Sequence, residues 1–423
     1  MKKAIQQRDV LSYPLHVCID ARKHSHGGIG VYIQNAITAL LRHGVKLTLL
    51  LNEEDSVLSN ISPSVKTQVV SAKPSTFREL FFLASEVDWE GVDVFHTPNY
   101  ILPFGVPVPS VITVHDLIHI KLPERWTYPL MALPLLWSSL LRASRIVSVS
   151  SSTHTELKHF SRYYAKAGKK MVTIANALSP TFTSREPQGD YVKNRFGIND
   201  SYFLSVLSTI KPHKGVKDLL DAFYELESKG VLKQNGDMCL VLVGQGIENM
   251  LEVERLLKRA DKLRCVRLLG SVSKEDIFQL YAGADALIVS SFIEGFCLPV
   301  IEAQAVRTPV ITRPVPAVLD LVSPRDMVCS DFSVDGLVNG IERFFHIGLQ
   351  QEEVRKDQGL LEKWQEQFFK NVSLEHHGRK LIDLYGNVIN QEVFSSLPQP
   401  MNDEELQALP VKSLFTKQPQ EVA

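Results

Sequence analysis

The sequence predicts an α/β protein made of two Rossmann-like domains, each a parallel sheet wrapped by helices. Short β-branched runs alternate with helical periods through the first half, a polar break follows at about 180–201, and the same alternation then restarts. At 423 residues the chain is also too long for a single core of about 100–200 residues.

In the first half, strands are expected at 15–20 (LHVCID), 45–51, 92–98, 110–116, 145–151 and 172–176. The first is followed by HSHGGIG (24–30) and then by VYIQNAITALLRHG (31–44). Val31, Ile33, Ala36, Ile37, Leu40 and Leu41 recur there at helical spacing, and Gly44 suits a C-terminal cap. The reading is strand, glycine turn, helix. The stretch 180–201 is polar, with Pro, Gly and Asp, and marks an interdomain connection. Strands follow at 202–208, 238–244, 266–270, 286–291 and 309–312, with helices at 218–230 and 273–284. Two polar helical stretches, 352–369 and 373–389, precede a tail that lacks an apolar period and is expected to be loose. The boundaries expected are 1–185 for the first domain, 186–370 for the second, 371–392 for a C-terminal helix and 393–423 for a flexible tail. No period of about 20–50 residues recurs, so a solenoid or propeller is not expected.

Composition narrows the function. Forty-six Lys and Arg against 47 Asp and Glu leave a formal charge of -1, without the basic excess of a nucleic-acid binder. Five cysteines, widely spaced and without a C-x-x-C pair, give neither a disulfide framework nor a zinc knuckle, which favours a reducing, cytoplasmic setting. The first residues lack the apolar stretch of about 7–15 residues of a signal peptide, so export is not expected. The longest apolar region, Tyr128 to Leu141, is too short and proline-broken for a bilayer span of about 20 helical residues. It reads either as core or as contact with a membrane surface.

Four constellations carry candidate chemistry. In EGFCLPVIE, Glu294 and Glu302 flank a helix start directly after an apolar strand: Gly295 permits a tight turn, Pro299 suits the first helical position, and Glu302 falls in the first turn. The amides of Phe296, Cys297 and Leu298 would face the carboxyl end of the sheet and could hold a phosphate. In STIKPHKG, Lys211, His213 and Lys214 leave a strand just before a helix, where such groups can neutralise a diphosphate. GGIG (27–30) lets backbone approach a phosphate closely, although Ile33 stands at the third glycine position of G-x-G-x-x-G. In VITVHD, His115 could hydrogen-bond a sugar hydroxyl, with His96 a weaker candidate of the same kind. Each stretch alone also has an ordinary reading as a turn, a solvated face or a structural histidine. No D-x-D, P-loop, H-E-x-x-H or G-x-S-x-G pattern occurs, so charge on a leaving diphosphate must be met by protein groups.

In combination, GGIGVY, VITVHDL, LSTIKPHKGVKDLLDAF, LVLVGQG and VRLLGSVSKEDIFQLYAGADALIVSSFIEGFCLPVIEAQAVRTPVIT resemble the retaining glycosyltransferases of family 4, of the bacterial mannosyltransferase kind, from about residue 15 to about 390. The resemblance implies the GT-B fold: two Rossmann-like domains facing across a cleft, nucleotide sugar held by the second, acceptor by the first, a C-terminal helix crossing back to the first domain, and no metal or other cofactor. It implies Glu294, His115 and Lys214 as catalytic residues, with Glu294 on the transferred sugar and His115 near its 6-hydroxyl. Donor-binding residues would be Gly28, Lys211, His213, Lys214, Phe296, Cys297, Leu298 and Glu302, the last on the ribose hydroxyls. Thr209 stands where the family often has arginine, leaving Lys211 or His213 to serve instead. Cys297 and Arg307 stand where glycine is usual, so the local backbone is expected to be altered there.

The activity implied is transfer of a hexose such as mannose, with retention, from a nucleotide-diphosphate donor to a saccharide or lipid-linked acceptor in polysaccharide or glycoconjugate biosynthesis, including at the inner face of a membrane. A nucleotide-sugar epimerase of the same fold and a non-catalytic nucleotide-sugar-binding scaffold are the rival readings. A dinucleotide oxidoreductase is disfavoured by the incomplete glycine fingerprint.

Overall fold

The computed structural model describes residues 15–52, 65–123, 126–160, 168–199, 201–207, 211–244, 266–349 and 358–389. They form two compact units, one running to Ala177 and resuming at Ser373, the other spanning Leu178–Val372. The expected tail, 393–423, lies outside the described residues.

In the first unit β1 (His16–Asp20), β2 (Lys46–Leu51), β3 (Val65–Val69), β4 (Val94–Thr97), β5 (Ser110–Val114), β6 (Arg145–Ser148) and β7 (Met171–Thr173) form one sheet in the order β3-β2-β1-β4-β5-β6-β7, every pair parallel. Between them run α1 (Gly27–Arg42), α2 (Phe77–Glu86), α3 (Ile118–Lys121), α4 (Tyr128–Arg142) and α5 (Ser151–Phe160). Strands β1, β4 and β5 are buried along their whole length. That is why they show no alternation of apolar and polar faces. β3, half polar and at the sheet edge, lacks that burial.

The second unit repeats the plan. β8 (Tyr202–Leu207), β9 (Cys239–Gly244), β10 (Val266–Leu269), β11 (Ala286–Val289), β12 (Val310–Thr312) and β13 (Met327–Val328) form a parallel sheet in the order β10-β9-β8-β11-β12-β13. Its helices are α6 (Tyr191–Phe196), α7 (Val216–Ser228), α8 (Val231–Gln234), α9 (Lys274–Gly283), α10 (Leu298–Ala305), α11 (Pro316–Leu319), α12 (Val334–Leu349) and α13 (Gln358–Asn371). One face of the sheet is covered by apolar residues of α7 and α12, including Leu219, Phe223, Leu226, Leu337 and Ile341, packed on Phe203, Leu240 and Ile288. Each sheet reverses its strand order once, between β1 and β4 and between β8 and β11.

The stretch 180–201, expected as a connection, is instead built into the second unit. α6 docks on α9: the Tyr191 hydroxyl donates to Asp276 Oδ1 at 3.0 Å and the Gln188 amide to Gln279 Oε1 at 2.9 Å. Asp276 is available for this because it closes the capping box with Ser273 that starts α9.

The chain returns to the first unit in α14 (Leu374–Ile389), which packs on α1 and β4 with Leu381, Ile382 and Tyr385 buried. A Cβ on Gly378 would stand 3.1 Å from the Ala39 carbonyl oxygen, so glycine permits this close helix contact. Tyr385 reaches His96, whose Nδ1 lies 2.6 Å from the hydroxyl while Nε2 lies 2.8 Å from Thr113 Oγ1. His96 is wholly buried, and that burial, aided by the charges of His377 and His115, lowers its pKa to about 3. It is a structural histidine, spent on the junction between β4, β5 and α14.

Replacing Tyr385 with Phe should leave His96 Nδ1 unpaired in a dry site, a loss of about 1–3 kcal/mol. The expected readout is a lower urea midpoint with an unchanged slope, whereas a midpoint equal to that of the parent protein would refute the role given to this contact.

Candidate donor site at the carboxyl ends of β8 and β11

In an open parallel sheet all strands end on one side, and where the strand order reverses the two following loops part to opposite faces and leave a crevice. In the second unit that point lies between β8 and β11. After β8, residues 208–210, with Thr209 among them, lie outside the described residues. The chain resumes at Lys211 and makes a 3-10 turn over Pro212–Lys214, closed by Lys214 N–H to Lys211 O at 2.9 Å. Gly215 then caps α7 at φ +63°, and a Cβ there would stand 2.3 Å from Ser290 O. Only glycine fits.

After β11 come Ser290, Ser291, Phe292, Ile293 and Glu294. The two loops are stitched together: the Lys214 ammonium donates to Glu294 Oε1 at 2.7 Å, Ser291 Oγ donates to the same oxygen at 2.6 Å, Ser290 Oγ donates to Lys214 O at 2.8 Å, and Phe292 N–H donates to His213 O at 2.8 Å. The Lys214 and Glu294 side chains are 17% and 9% exposed, so the pair is mostly shielded yet open at one edge. Beneath it lies Arg313, which the sequence reading missed. Its guanidinium is wholly buried, donating to Ser290 O at 2.7 Å and to Asp218 Oδ2 at 2.6 Å, and it stacks 4.2 Å from the Phe292 ring centroid. A cation inside the apolar run PVITRPV, directly after β12, was the available signal.

Cys297 precedes α10 at φ +71°, and no side chain caps the helix. Pro299 carries no N–H and the Val300 amide donates to Cys297 O at 3.1 Å, so of the first-turn amides it is Leu298 N–H that is placed to meet an anion. Cys297 and Arg307, expected to alter the backbone, instead keep the positive φ that glycine would supply, at +71° and +64°. Pro299 is the second helical residue rather than the first, and Glu302 is the fifth, one residue beyond its expected place. Glu302 is bound sideways by the Tyr281 hydroxyl of α9, which donates to Oε2 at 2.8 Å, and desolvation lifts its carboxyl to about 7 against that hydrogen bond.

Thus Lys214 and Glu294 are brought into contact and His213 is tied to their loop through its carbonyl. Lys211 stands exposed beside them. Glu302 accepts from Tyr281 of α9 rather than joining this pair.

In the first unit the helix begins at Gly27, not at Val31, and its Gly30 passes so close to the loop before it that a Cβ would stand 2.5 Å from His24 O. Gly28 lies exposed in the first turn of α1, where its amide has no helical partner. His115 follows β5 with Nε2 3.2 Å from Pro98 O, its ring edge-on to Tyr32 at 4.9 Å. Burial lowers its pKa to about 4 despite the pull of Asp116, so the ring is neutral near pH 7; with Nε2–H donating to Pro98, Nδ1 faces other groups as an acceptor. Among the described residues no group of three or more His, Cys, Asp or Glu is placed to hold a metal ion.

Two parallel α/β units with these loops define the class: a GT-B glycosyltransferase fold. The family model "Glycosyltransferase Family 4" matches residues 26–181 and the model "Glycosyl transferases group 1" matches residues 192–359. The chain belongs to the GT4-like glycosyltransferases. It is 28% identical, over 58% of its length, to O-antigen chain mannosyltransferase B of Escherichia coli, covering 63% of that protein. It is 25% identical, over 49% of its length, to O-antigen chain mannosyltransferase RfbU of Salmonella typhimurium, covering 52% of it. The chain therefore spans less than two thirds of either relative. Among solved structures, Anabaena Alr3699/HepE in complex with UDP and glucose superimposes with a TM-score of 0.67 at 16% identity, over 88% of this chain and all of that one. WaaG, a glycosyltransferase involved in lipopolysaccharide biosynthesis, gives 0.57 at 15% identity, over 89% of this chain and 98% of that one.

The raised Glu302 pKa has a definite sign. The folded state keeps its proton up to about pH 7, while the unfolded chain releases it near about 4.3, so this group lowers stability progressively across that window as pH rises. The melting-temperature difference between Glu302→Gln and the parent should grow from pH 4.5 to pH 7.5, about the limits of that window, and level off above it; a pH-independent difference would contradict the assignment. Gly215→Ala should destabilise by more than the about 1 kcal/mol of an ordinary helix-cap change, since both φ and the Ser290 carbonyl oppose it, and chemical denaturation measures this.

Proposed function

We propose that the protein is a retaining hexosyltransferase that moves a sugar, mannose being the first candidate, from a nucleotide-diphosphate donor to a saccharide or lipid-linked acceptor in polysaccharide biosynthesis. The observation that carries this reading is the Lys214–Glu294 pair at the strand-order reversal of the second sheet, beside an uncapped helix start. A cation and helix amides suit a diphosphate, and a carboxylate beside them suits sugar hydroxyls. The relatives support mannose, the UDP and UDP-glucose complexes of HepE support a nucleotide sugar, and the family supports retention.

In the reaction the bond from the anomeric carbon to the diphosphate oxygen breaks, and a bond to the acceptor oxygen forms on the same face. Lys214, Lys211, His213 and the amides of Phe296, Cys297 and Leu298 take up the charge developing on the leaving diphosphate, which itself accepts the acceptor's proton. No metal is assigned a part. Glu294 orients the sugar hydroxyls and Glu302 binds the ribose. His115, neutral with Nδ1 as acceptor, is suited to a sugar hydroxyl and Gly28 to a phosphate.

The test is incubation with guanosine and uridine diphosphate hexoses and saccharide or membrane-lipid acceptors, with the anomeric configuration of the product read by NMR. Acceptor-dependent donor consumption with retention is expected, and Lys214→Met or Glu294→Gln should slow it by about 10²–10³. Epimerised donor formed without acceptor, donor binding without turnover, or an unimpaired Glu294→Gln protein would each overturn the reading.

A further inference from the structure

Arg313 directly follows β12, and its side chain is wholly buried. Taking a guanidinium out of water is costly, and a well-packed apolar residue of similar volume often serves stability as well or better. Its partners do not remove that cost in full. Nη2 donates to Asp218 Oδ2 at 2.6 Å and Nη1 to Ser290 O at 2.7 Å, but Nε has no hydrogen-bond partner among the described residues, and the Asp218 side chain is 24% exposed. Packing alone does not account for an arginine here.

The places of its two partners do. Ser290 is the first residue after β11 and Asp218 lies in the first turn of α7, so one planar fork bridges the two segments that carry the ion pair of the donor site. On one side Ser290 leads into Ser291, whose Oγ donates to Glu294 Oε1 at 2.6 Å. On the other, Asp218 belongs to the helix that Gly215 caps directly after Lys214. The Ser290 hydroxyl closes the circuit by donating to Lys214 O at 2.8 Å. Tilting of the fork is opposed by the Phe292 ring, whose centroid lies 4.2 Å from the guanidinium carbon, and Phe292 is in turn stacked on Phe332 at 6.3 Å with 21° between the rings. Arg313 thus reaches Lys214 and Glu294 through their neighbours, with two donors at a fixed spacing and a flat face against an aromatic ring. Lysine offers the same charge from one point and no plane, so it can hold one of the two segments but not both.

We infer that Arg313 is a positioning residue of the donor site: its guanidinium fork sets the contact between Lys214 and Glu294 by locking the loop after β11 to the start of α7. This rests on the proposed function only for the part the site plays in transfer. The first measurement needs neither donor nor acceptor. The parent, Arg313→Lys and Arg313→Met are treated briefly with acetic anhydride, and acetylation of Lys214 is read by mass spectrometry against that of exposed Lys193 in α6, with circular dichroism and melting temperature as the control for folding. Relative to Lys193, Lys214 should be acetylated faster in both variants than in the parent. The second measurement is transfer kinetics. Arg313→Lys should lower kcat about tenfold or more with a smaller change in donor KM, and in a Glu294→Gln background it should lower kcat no further, because it acts through that carboxylate.

Arg313→Lys keeps the buried charge and Arg313→Met removes it, so the test does not hang on one variant folding. Lys214 reactivity in a folded variant equal to the parent's, a kcat for Arg313→Lys equal to the parent's, or losses that multiply in the double variant would each overturn the inference. A lowered melting temperature with Lys214 still protected would do the same, since that is the signature of a merely structural cation. A parent that transfers no sugar while the variants expose Lys214 would sink the functional reading alone, and one that transfers sugar while both variants keep its rate and its Lys214 protection would sink this inference alone.

Discussion

The contact between Lys214 and Glu294 depends on neighbours in space that are eighty residues apart in sequence. β8 and β11 are adjacent and parallel, so the loops leaving them emerge side by side, and the ammonium and carboxylate meet at 2.7 Å. A mostly shielded cation needs an anion, and here the partner is the Glu294 carboxylate. Neither group is a bare charge. The site is an electrically balanced wall in which each charge satisfies the other.

What fixes that wall is the layer below it. Arg313 holds the Ser290 carbonyl, the Ser290 hydroxyl holds the Lys214 carbonyl, and Gly215 lets the two backbones approach. Asp218 at the start of α7 completes the link, so the turn over Pro212–Lys214, the Glu294 loop and the first turn of α7 are tied into one network. In the first unit a different network performs the same service for His115: Tyr32 packs on its ring and donates or accepts at Thr113 Oγ1, 3.0 Å away, and His96 and Tyr385 extend the chain of contacts into α14. The returning helix is therefore part of the support of this histidine.

Much of this was legible in the sequence because buried parallel strands are apolar throughout and their exits are marked by Gly, Pro and charge. β1, β2, β5, β6, β8, β9, β11 and β12 begin within a residue or so of where those runs place them. β3 and β13 were not legible: one is a half-polar edge strand and the other only two residues long. The polar segment before β8 read as a linker because α6 is one and a half turns long and is held by Asp276 and Gln279, residues about ninety positions away that no local pattern reveals. At the site, the residue types of Lys214 and Glu294 were visible, but their pairing was not, nor were Arg313 and Tyr281, whose importance comes from burial and partners. Glu302 falls one residue deeper than the Pro299 signal implies, because the helix starts at Leu298.

The most direct measurement is a double-mutant cycle on nucleotide affinity by isothermal titration, using the parent, Lys214→Met, Glu294→Gln and the double variant. With a nucleoside diphosphate alone, removing the ammonium should weaken binding about tenfold or more, while removing the neighbouring carboxylate should leave affinity equal or tighter. With the matching nucleotide sugar, Glu294→Gln should weaken binding as well. Four proteins of equal affinity for both ligands would contradict a donor site at the paired ends of β8 and β11.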